Sequence, residues 1–301
     1  MKIPRGNHFK CLPVSPIDHD WGLFIKSAGM FSIPAGSKYP LSIPKTHYFS
    51  YEHGRILSEY AIVYITRGKG SFETRETSRK TVKKGDLFLL FPGQWHRYKP
   101  DPAVGWNEYW ICFDGEYIHD LCNKGFISPK HSLFHLEQGE SKIVADLFRQ
   151  ILETIKRGRL GYAQIAASDV PAIIAQALAS KRRSGIPDTN AEPLIRKAKD
   201  MVVELADRSL DVPNLARQLG VGYSWLRQTF KRHTGLAPGQ YHMQVRLHKA
   251  QQLLETTDMT VQQISASLAY DTQNYFSRIF KKHTGHWPTD WRKTHQCRPT
   301  I

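Results

Sequence analysis

Two hexamers, Phe-Lys-Arg-His-Thr-Gly at 230–235 and Phe-Lys-Lys-His-Thr-Gly at 280–285, lie fifty residues apart in a chain of 301. Side chains that reach and fork surround each one. With the first go Ser224, Arg227, Gln228 and Lys231, and with the second Gln273, Asn274, Arg278, Lys281 and Lys282. On a helix, each set falls along one side. Arg and Gln fork onto guanine and adenine edges in the major groove. Lys neutralises phosphate. The chemistry is the reading of double-stranded DNA, set out twice because one helix reads only a few base pairs.

A second group lies earlier in the chain. Arg55, Trp95, His96, Tyr98, Trp106, Glu108, Tyr109 and Trp110 sit on segments that read as strands. Aromatic walls with a few charged forks suit a polyhydroxylated ligand, because rings cover C–H faces while Arg and Glu take hydroxyls. Taken singly, each aromatic is more often a core residue. A metal is not expected. His53 and Glu59 offer no His-x-His, and His96 alone cannot hold an ion. We therefore expect no catalytic residues, no cofactor and no enzyme.

The elements that must position these groups are legible around them. Copies outward of the hexamers align from Leu215 to Tyr241 and from Ile264 to Trp291, with one extra turn residue in the second. Each reads as helix, turn, helix. Leu215, Leu219, Leu226 and Phe230 make the first core face, and Ile264, Leu268, Phe276 and Phe280 the second. Gly220 stops the first helix, Gly235 and Gly285 stop the reading helices, and Pro238 and Pro288 open the next ones. Leu247, Ala250, Leu253 and Leu254 predict one connecting helix.

Between 20 and 115, Tyr60–Thr66, Gly70–Thr74, Leu87–Phe91 and Tyr109–Phe113 read as short strands of a β-barrel or sandwich. Two helical stripes follow, one from Ile143 to Ile155 and one from Ala166 to Leu178, with Pro171 at a start or kink. The polar stretch 183–193 reads as a linker. The expected domains are 1–182, for sensing and dimerisation, and 194–301, for DNA.

Net charge is +15. Residues 1–190 hold 26 Lys and Arg against 18 Asp and Glu, a balance of +8, and residues 191–301 hold 16 against 9, a balance of +7. An anionic partner follows, nucleic acid first. Cys11, Cys112, Cys122 and Cys297 have no metal or redox spacing. With no secretory signal and no membrane-length apolar run, a cytoplasmic protein without a membrane partner is expected.

Residues about 194–295 resemble the DNA-binding domain of the AraC/XylS family of bacterial transcription regulators. The resemblance is closest in the second copy, "ISASLAYDTQNYFSRIFKKHTGHWP", although Ala269 stands where Gly is usual. "KKGDLFLLFPGQWHRYKPD" (83–101) resembles the second motif of the cupin barrel. Residues 55–72 and 105–115 resemble arabinose-type sensor domains.

The resemblance implies an α+β chain with a cupin-like barrel plus helices and an all-α double helix-turn-helix. It implies sugar contacts for Arg55, Tyr98 and Trp110, while His96, without metal partners, reads from the residues themselves as a pocket or core histidine. It places Glu108 where those sensors carry a contacting histidine. A homodimer, a monosaccharide effector and, for an activator, RNA polymerase are the partners implied. A cupin-type enzyme with an appended DNA-binding domain is the alternative. A regulator whose barrel only dimerises is another.

Overall fold

The computed structural model describes residues 7–40, 50–183 and 191–295. Cys297 and most of the expected linker, 184–190, lie outside them. The chain is α+β and divides into two compact units, Met1–Ile186 and Pro187–Ile301.

The N-terminal unit carries strands β1 (His8–Cys11), β2 (Phe24–Pro34), β3 (Arg55–Ile56), β4 (Tyr60–Thr74), β5 (Lys80–Lys83), β6 (Asp86–Leu90), β7 (Trp95–Pro100), β8 (Gly105–Asp114) and β9 (Leu133–His135). Its helices are α1 (Pro16–Asp20), α2 (Glu116–Asn123), α3 (Gln138–Arg157) and α4 (Tyr162–Arg183). Pairing is antiparallel in the order β1-β2-β8-β4-β6-β9, with β5 and β7 on the second half of β4 and β3 on β7.

All five residues of β6 are buried because the sheet is covered on both faces. Leu87 and Leu89 join Tyr60, Ile62, Tyr64, Ile111 and Phe113 against the apolar stripes of α3 and α4. Phe88 and Leu90 join Ala61, Val63, Ile65, Trp106 and Trp110 on the barrel interior. Period-two alternation thus sorts every second residue into one of two cores.

The two runs expected at 60–66 and 70–74 form the single strand β4. Its register shifts between Ile65 and Arg67, and Gly68 takes φ +83°. A Cβ at Gly68 would lie 2.1 Å from the Gly105 carbonyl oxygen. The bulge bends the strand, so it leaves β6 and β8 and continues against β5 and β7. Pro171 lies inside α4, which runs on to Arg183.

The C-terminal unit is helical: α5 (Ala191–Glu204), α6 (Val212–Gln218), α7 (Tyr223–Thr234), α8 (Pro238–Thr256), α9 (Val261–Ser267), α10 (Gln273–Thr284) and α11 (Pro288–His295). It has two cores. Ile195, Ala198, Val202, Leu215, Ala216, Leu219, Leu226 and Phe230 form one, from α5, α6 and α7. Leu247, Ala250, Leu254, Ile264, Leu268, Tyr270, Phe276 and Phe280 form the other, around α8, α9 and α10.

The repeated hexamer is a helix-ending device. Phe230 and Phe280 are fully buried. Thr234 Oγ1 donates to the Phe230 carbonyl and Thr284 Oγ1 to the Phe280 carbonyl, both at 2.8 Å. Gly235 (φ +79°) and Gly285 (φ +81°) then leave the helix left-handed. Their N–H groups close on the Lys231 and Lys281 carbonyls at 2.8 Å.

Candidate effector pocket and nucleic-acid interface

Arg55 stands directly opposite His96 in the β3–β7 register. Tyr98 is two residues further along β7, so its ring points the same way as His96. The Arg55 guanidinium donates through Nε to His96 Nε2 at 3.2 Å and through a terminal nitrogen to the Tyr98 hydroxyl at 2.8 Å. His96 Nδ1 lies 3.2 Å from the Gln94 carbonyl.

These partners define the tautomer. Nδ1 carries the proton and Nε2 accepts. Burial, reinforced by the Arg55 charge and opposed by the bond to Gln94, lowers the His96 pKa to about 4. The imidazole is therefore neutral at pH 7. Burial also raises the Tyr98 phenol, against the pull of Arg55.

β8 supplies the opposite side of the interior. Trp106, Glu108, Trp110 and Cys112 alternate onto it and are all buried. Burial pushes the Glu108 carboxyl up to about 8, opposed by the Arg55 charge and then by the Trp106 indole N–H beside it. The Trp106 N–H lies close to the carboxyl without meeting full hydrogen-bond geometry, and Glu108 Oε2 has no hydrogen-bond partner among the described residues, although buried polar groups are normally bonded.

Two glycines make room for the tryptophans. A Cβ at Gly29 would come 2.9 Å from Trp110 Cζ2, and one at Gly70 would come 2.5 Å from Trp106 Cζ3. Phe31 stands 5.8 Å from Trp110, ring centre to ring centre.

The five expected ligand residues Arg55, His96, Tyr98, Glu108 and Trp110 thus lie on one interior. Two aromatics of the wider set lie elsewhere. Tyr109 faces the helices and stacks on Phe148 at 5.4 Å, because its parity along β8 is odd where Glu108 is even. Trp95 donates its indole N–H to the His53 carbonyl at 2.7 Å and faces Arg97.

Tyr39 was missed. Burial, with Tyr98 and Glu108 near, raises its phenol well above the ordinary value. No local pattern announces it, since only the tertiary fold brings residue 39 to β7 and β8. Cys112 was also overlooked, although its parity with Glu108 and Trp110 was readable. Glu59 pairs with Lys26 at 2.5 Å. Among the described residues no three His, Cys, Asp or Glu gather as a metal site.

In the C-terminal unit, Ser224, Arg227, Gln228 and Lys231 are all exposed on α7, opposite buried Leu226, Thr229 and Phe230. Gln273, Asn274, Arg278, Lys281 and Lys282 are all exposed on α10, opposite Phe276 and Phe280. The Lys281 ammonium sits 4.4 Å from the centre of the Trp287 ring. Trp287 is itself exposed, as are Tyr223 and Tyr275 at the starts of the two reading helices. These three aromatics were missed, and their only signal was their place beside the basic faces.

The sequence family described as the AraC-like ligand binding domain matches residues 43–176. A helix-turn-helix domain family matches residues 215–294. The arabinose operon regulatory protein of Escherichia coli K12 is 28% identical over 240 residues, covering 77% of this chain and 80% of the relative. The raffinose operon transcriptional regulatory protein of Pediococcus pentosaceus is 26% identical over 252 residues, covering 82% and 89%. Among solved structures, the C-terminal domain of AraT from Geobacillus stearothermophilus is 27% identical and covers 38% of this chain and 94% of its own, with a TM-score of 0.36. With a sensor-type domain and a tandem helix-turn-helix in this order, the chain belongs to the AraC family of transcriptional regulators.

Proposed function

We propose that the barrel interior receives a neutral polyhydroxylated molecule, a monosaccharide by its chemistry, and that its occupancy sets how the C-terminal unit acts on promoter DNA. The observation that carries this reading is the buried chain from Gln94 through His96 and Arg55 to Tyr98, facing Glu108 and Trp110. It presents donors, acceptors and an aromatic face together, the mixture a sugar needs. Kinship with regulators of arabinose, raffinose and lactose operons points the same way.

Ser224, Arg227, Gln228 and Lys231 would read one major groove, and Gln273, Asn274, Arg278, Lys281 and Lys282 the next. The protein would work in the cytoplasm as a homodimer joined through the helices after Gly115, meeting RNA polymerase if it acts as an activator, with no catalytic step of its own.

Thermal denaturation against a panel of aldopentoses and aldohexoses tests the pocket. A sugar at 100 times its Kd should stabilise by about 2.7 kcal/mol. Arg55→Lys keeps the charge and loses the planar fork, so the response should disappear while the fold remains. A folded Arg55→Lys variant with an unchanged response removes Arg55 from the site.

The pocket carboxyl adds a ligand-free readout. Glu108 holds its proton in the fold up to about 8, whereas the unfolded chain releases it near 4.5. Its contribution to stability therefore falls as pH rises through that window. His96, lowered to about 4 from 6.5, acts oppositely, but only between those two values. From pH 6.5 to 8 the barrel should lose stability, and Glu108→Gln should flatten that loss.

A further inference from the structure

The reading helices use the positive charge of the C-terminal unit. The balance of +8 in residues 1–190 is left over, and part of it is gathered on the outer face of the barrel. There β5, β4 and β7 lie side by side in that order. Register sets Lys69 directly across from Lys83 and puts Ser71 between Thr81 and Lys99. Like charges directly opposed weaken a sheet.

A groove crosses this face, lined by Lys69, Ser71, Arg79, Lys80, Thr81 and Lys99, with one acid, Asp101, at its edge. Asp101 sits 3.4 Å from Lys69. Tyr51 flanks the groove, with the Lys99 ammonium 4.1 Å and the Arg97 guanidinium 5.2 Å from its ring centre. Arg79, Lys80 and Lys83 are exposed and form no ion pair among the described residues.

The geometry points to a second DNA contact: the outer β5–β4–β7 face of the barrel binds the sugar-phosphate backbone of a duplex without reading its sequence. Cations, hydroxyls and two prolines, Pro100 and Pro102, line the groove, with no large apolar side chain. That composition matches phosphate esters and lacks the apolar centre a protein partner would bury. From Lys83 to Lys99 is two strand spacings across and two residues along, roughly 12 Å. A duplex carries one charge per ~1.7 Å of axis, so this span faces several phosphates at once. One small phosphorylated molecule would leave the outer cations unmatched.

The test uses the full chain and a duplex of arbitrary sequence, with affinity measured from about 50 to 200 mM salt. The triple variant Arg79→Gln/Lys80→Gln/Lys83→Gln should lower the slope of log K against log salt by up to about 2.7, at ~0.9 per phosphate contact. Lys69→Gln/Lys99→Gln should lower it by up to about 1.8. Sequence preference should stay as it is, which separates this face from the reading helices. Lys124→Gln/Lys130→Gln/Lys142→Gln, elsewhere on the same unit, should leave the slope alone. All but Lys99, which is half-buried against Tyr51, are exposed, so the melt should be unaltered in the triple variant and in the control. An unchanged slope in both face variants overturns the proposal, as does an equal loss in the control. Overturning it equally would be a groove that loses stabilisation by inorganic pyrophosphate while the DNA slope is kept, since that assigns it to a small phosphorylated ligand.

Discussion

In the first helix-turn-helix motif the reading helix α7 begins after Gly222, which offers no side chain to the orphan N–H groups of the first turn. In the second, Thr272 Oγ1 accepts from the Tyr275 N–H at 3.1 Å. The contrast continues inward. The second core sets Phe276 tilted against Phe280 at 5.6 Å and Phe280 edge-to-face against Trp291 at 5.9 Å. The Trp291 indole donates to Glu255 at 3.0 Å, and Arg246 on α8 lies 3.8 Å over the Tyr270 ring in the motif's turn. The corresponding ring contact of the first motif is Phe230 against Tyr241, at 5.3 Å. Two copies of one plan have thus been finished differently. The second holds its reading helix by a cap, an aromatic row and a half-buried cation, and the first rests mainly on aliphatic packing. A helix held more firmly loses less freedom on docking, so the second motif should contribute more of the sequence discrimination.

Removing the shared anchors is the harshest way to break the comparison. Phe280→Ala and Phe230→Ala should each cost about 3–5 kcal/mol in their own motif. The two cores share no residue. Hydrogen exchange should therefore show Phe280→Ala opening α9 and α10 while α6 and α7 stay protected, and Phe230→Ala doing the reverse. Joint opening in either variant would show the motifs to be one cooperative body.

Next in size is the difference between the reading side chains. Arg278→Ala should cost about 1–3 kcal/mol on the preferred DNA and relax preference at one or two base pairs. Arg227→Ala should cost less and act at base pairs in a neighbouring groove. Lys281→Ala should weaken all sequences about equally, because its ammonium leans on Trp287 at the helix end. Binding-site selection with each variant decides this. A uniform loss for Arg278→Ala would make it a phosphate contact.

The helical half was legible because duplication repeats every signal: core spacing, stop residue and basic face all occur at matched positions. Arg246 over Tyr270 was not, since neither residue belongs to the repeated pattern and only the fold of α8 back onto the turn brings them together. In the barrel, Glu108 and Trp110 came from the resemblance, and parity along β8, which sets Tyr109 apart from them, was readable as well. Parity fails across β4, where Gly68 looks like the end of a strand but lies within one, just past the bulge between Ile65 and Arg67. What requires a glycine at 68 is the Gly105 carbonyl 37 residues away, and no local pattern carries that information. Tyr39 was hidden for the same reason.

Capping gives a smaller and more local difference. Thr272→Ala should destabilise the second motif by about 1 kcal/mol. Gly222→Thr should gain a few tenths in the first, because Gly222 already has the extended backbone of an N-cap and open space around it. Urea denaturation of the C-terminal unit measures both. If Thr272→Ala costs nothing, the cap does not distinguish the motifs.

The smallest expected effect is the most symmetrical. Both motifs end their first helix with the same backbone device. Gly220 and Val221 donate to Arg217 and Ala216, each at 3.0 Å, and Ala269 and Tyr270 donate to Ala266 and Ser265, each at 3.0 Å. The residue after each helix is left-handed, at φ +67° for Gly220 and φ +51° for Ala269. Ala269 is the one non-glycine residue with positive φ among those described. A left-handed L-residue costs roughly 1–2 kcal/mol from Cβ against the carbonyl oxygen. Glycine avoids that cost but loses about 0.5–1 kcal/mol more in chain entropy on folding. The net favours glycine at both positions by about 0.5 kcal/mol. Ala269→Gly should therefore stabilise the second motif by about that amount, and Gly220→Ala should destabilise the first by the same. Nothing lies within 4 Å of a Cβ at Gly220, so its loss would be backbone strain alone and calibrates the other. Should Ala269→Gly destabilise instead, the Ala269 methyl contributes packing that outweighs its strain, and the second motif is held by one contact more than the comparison has counted.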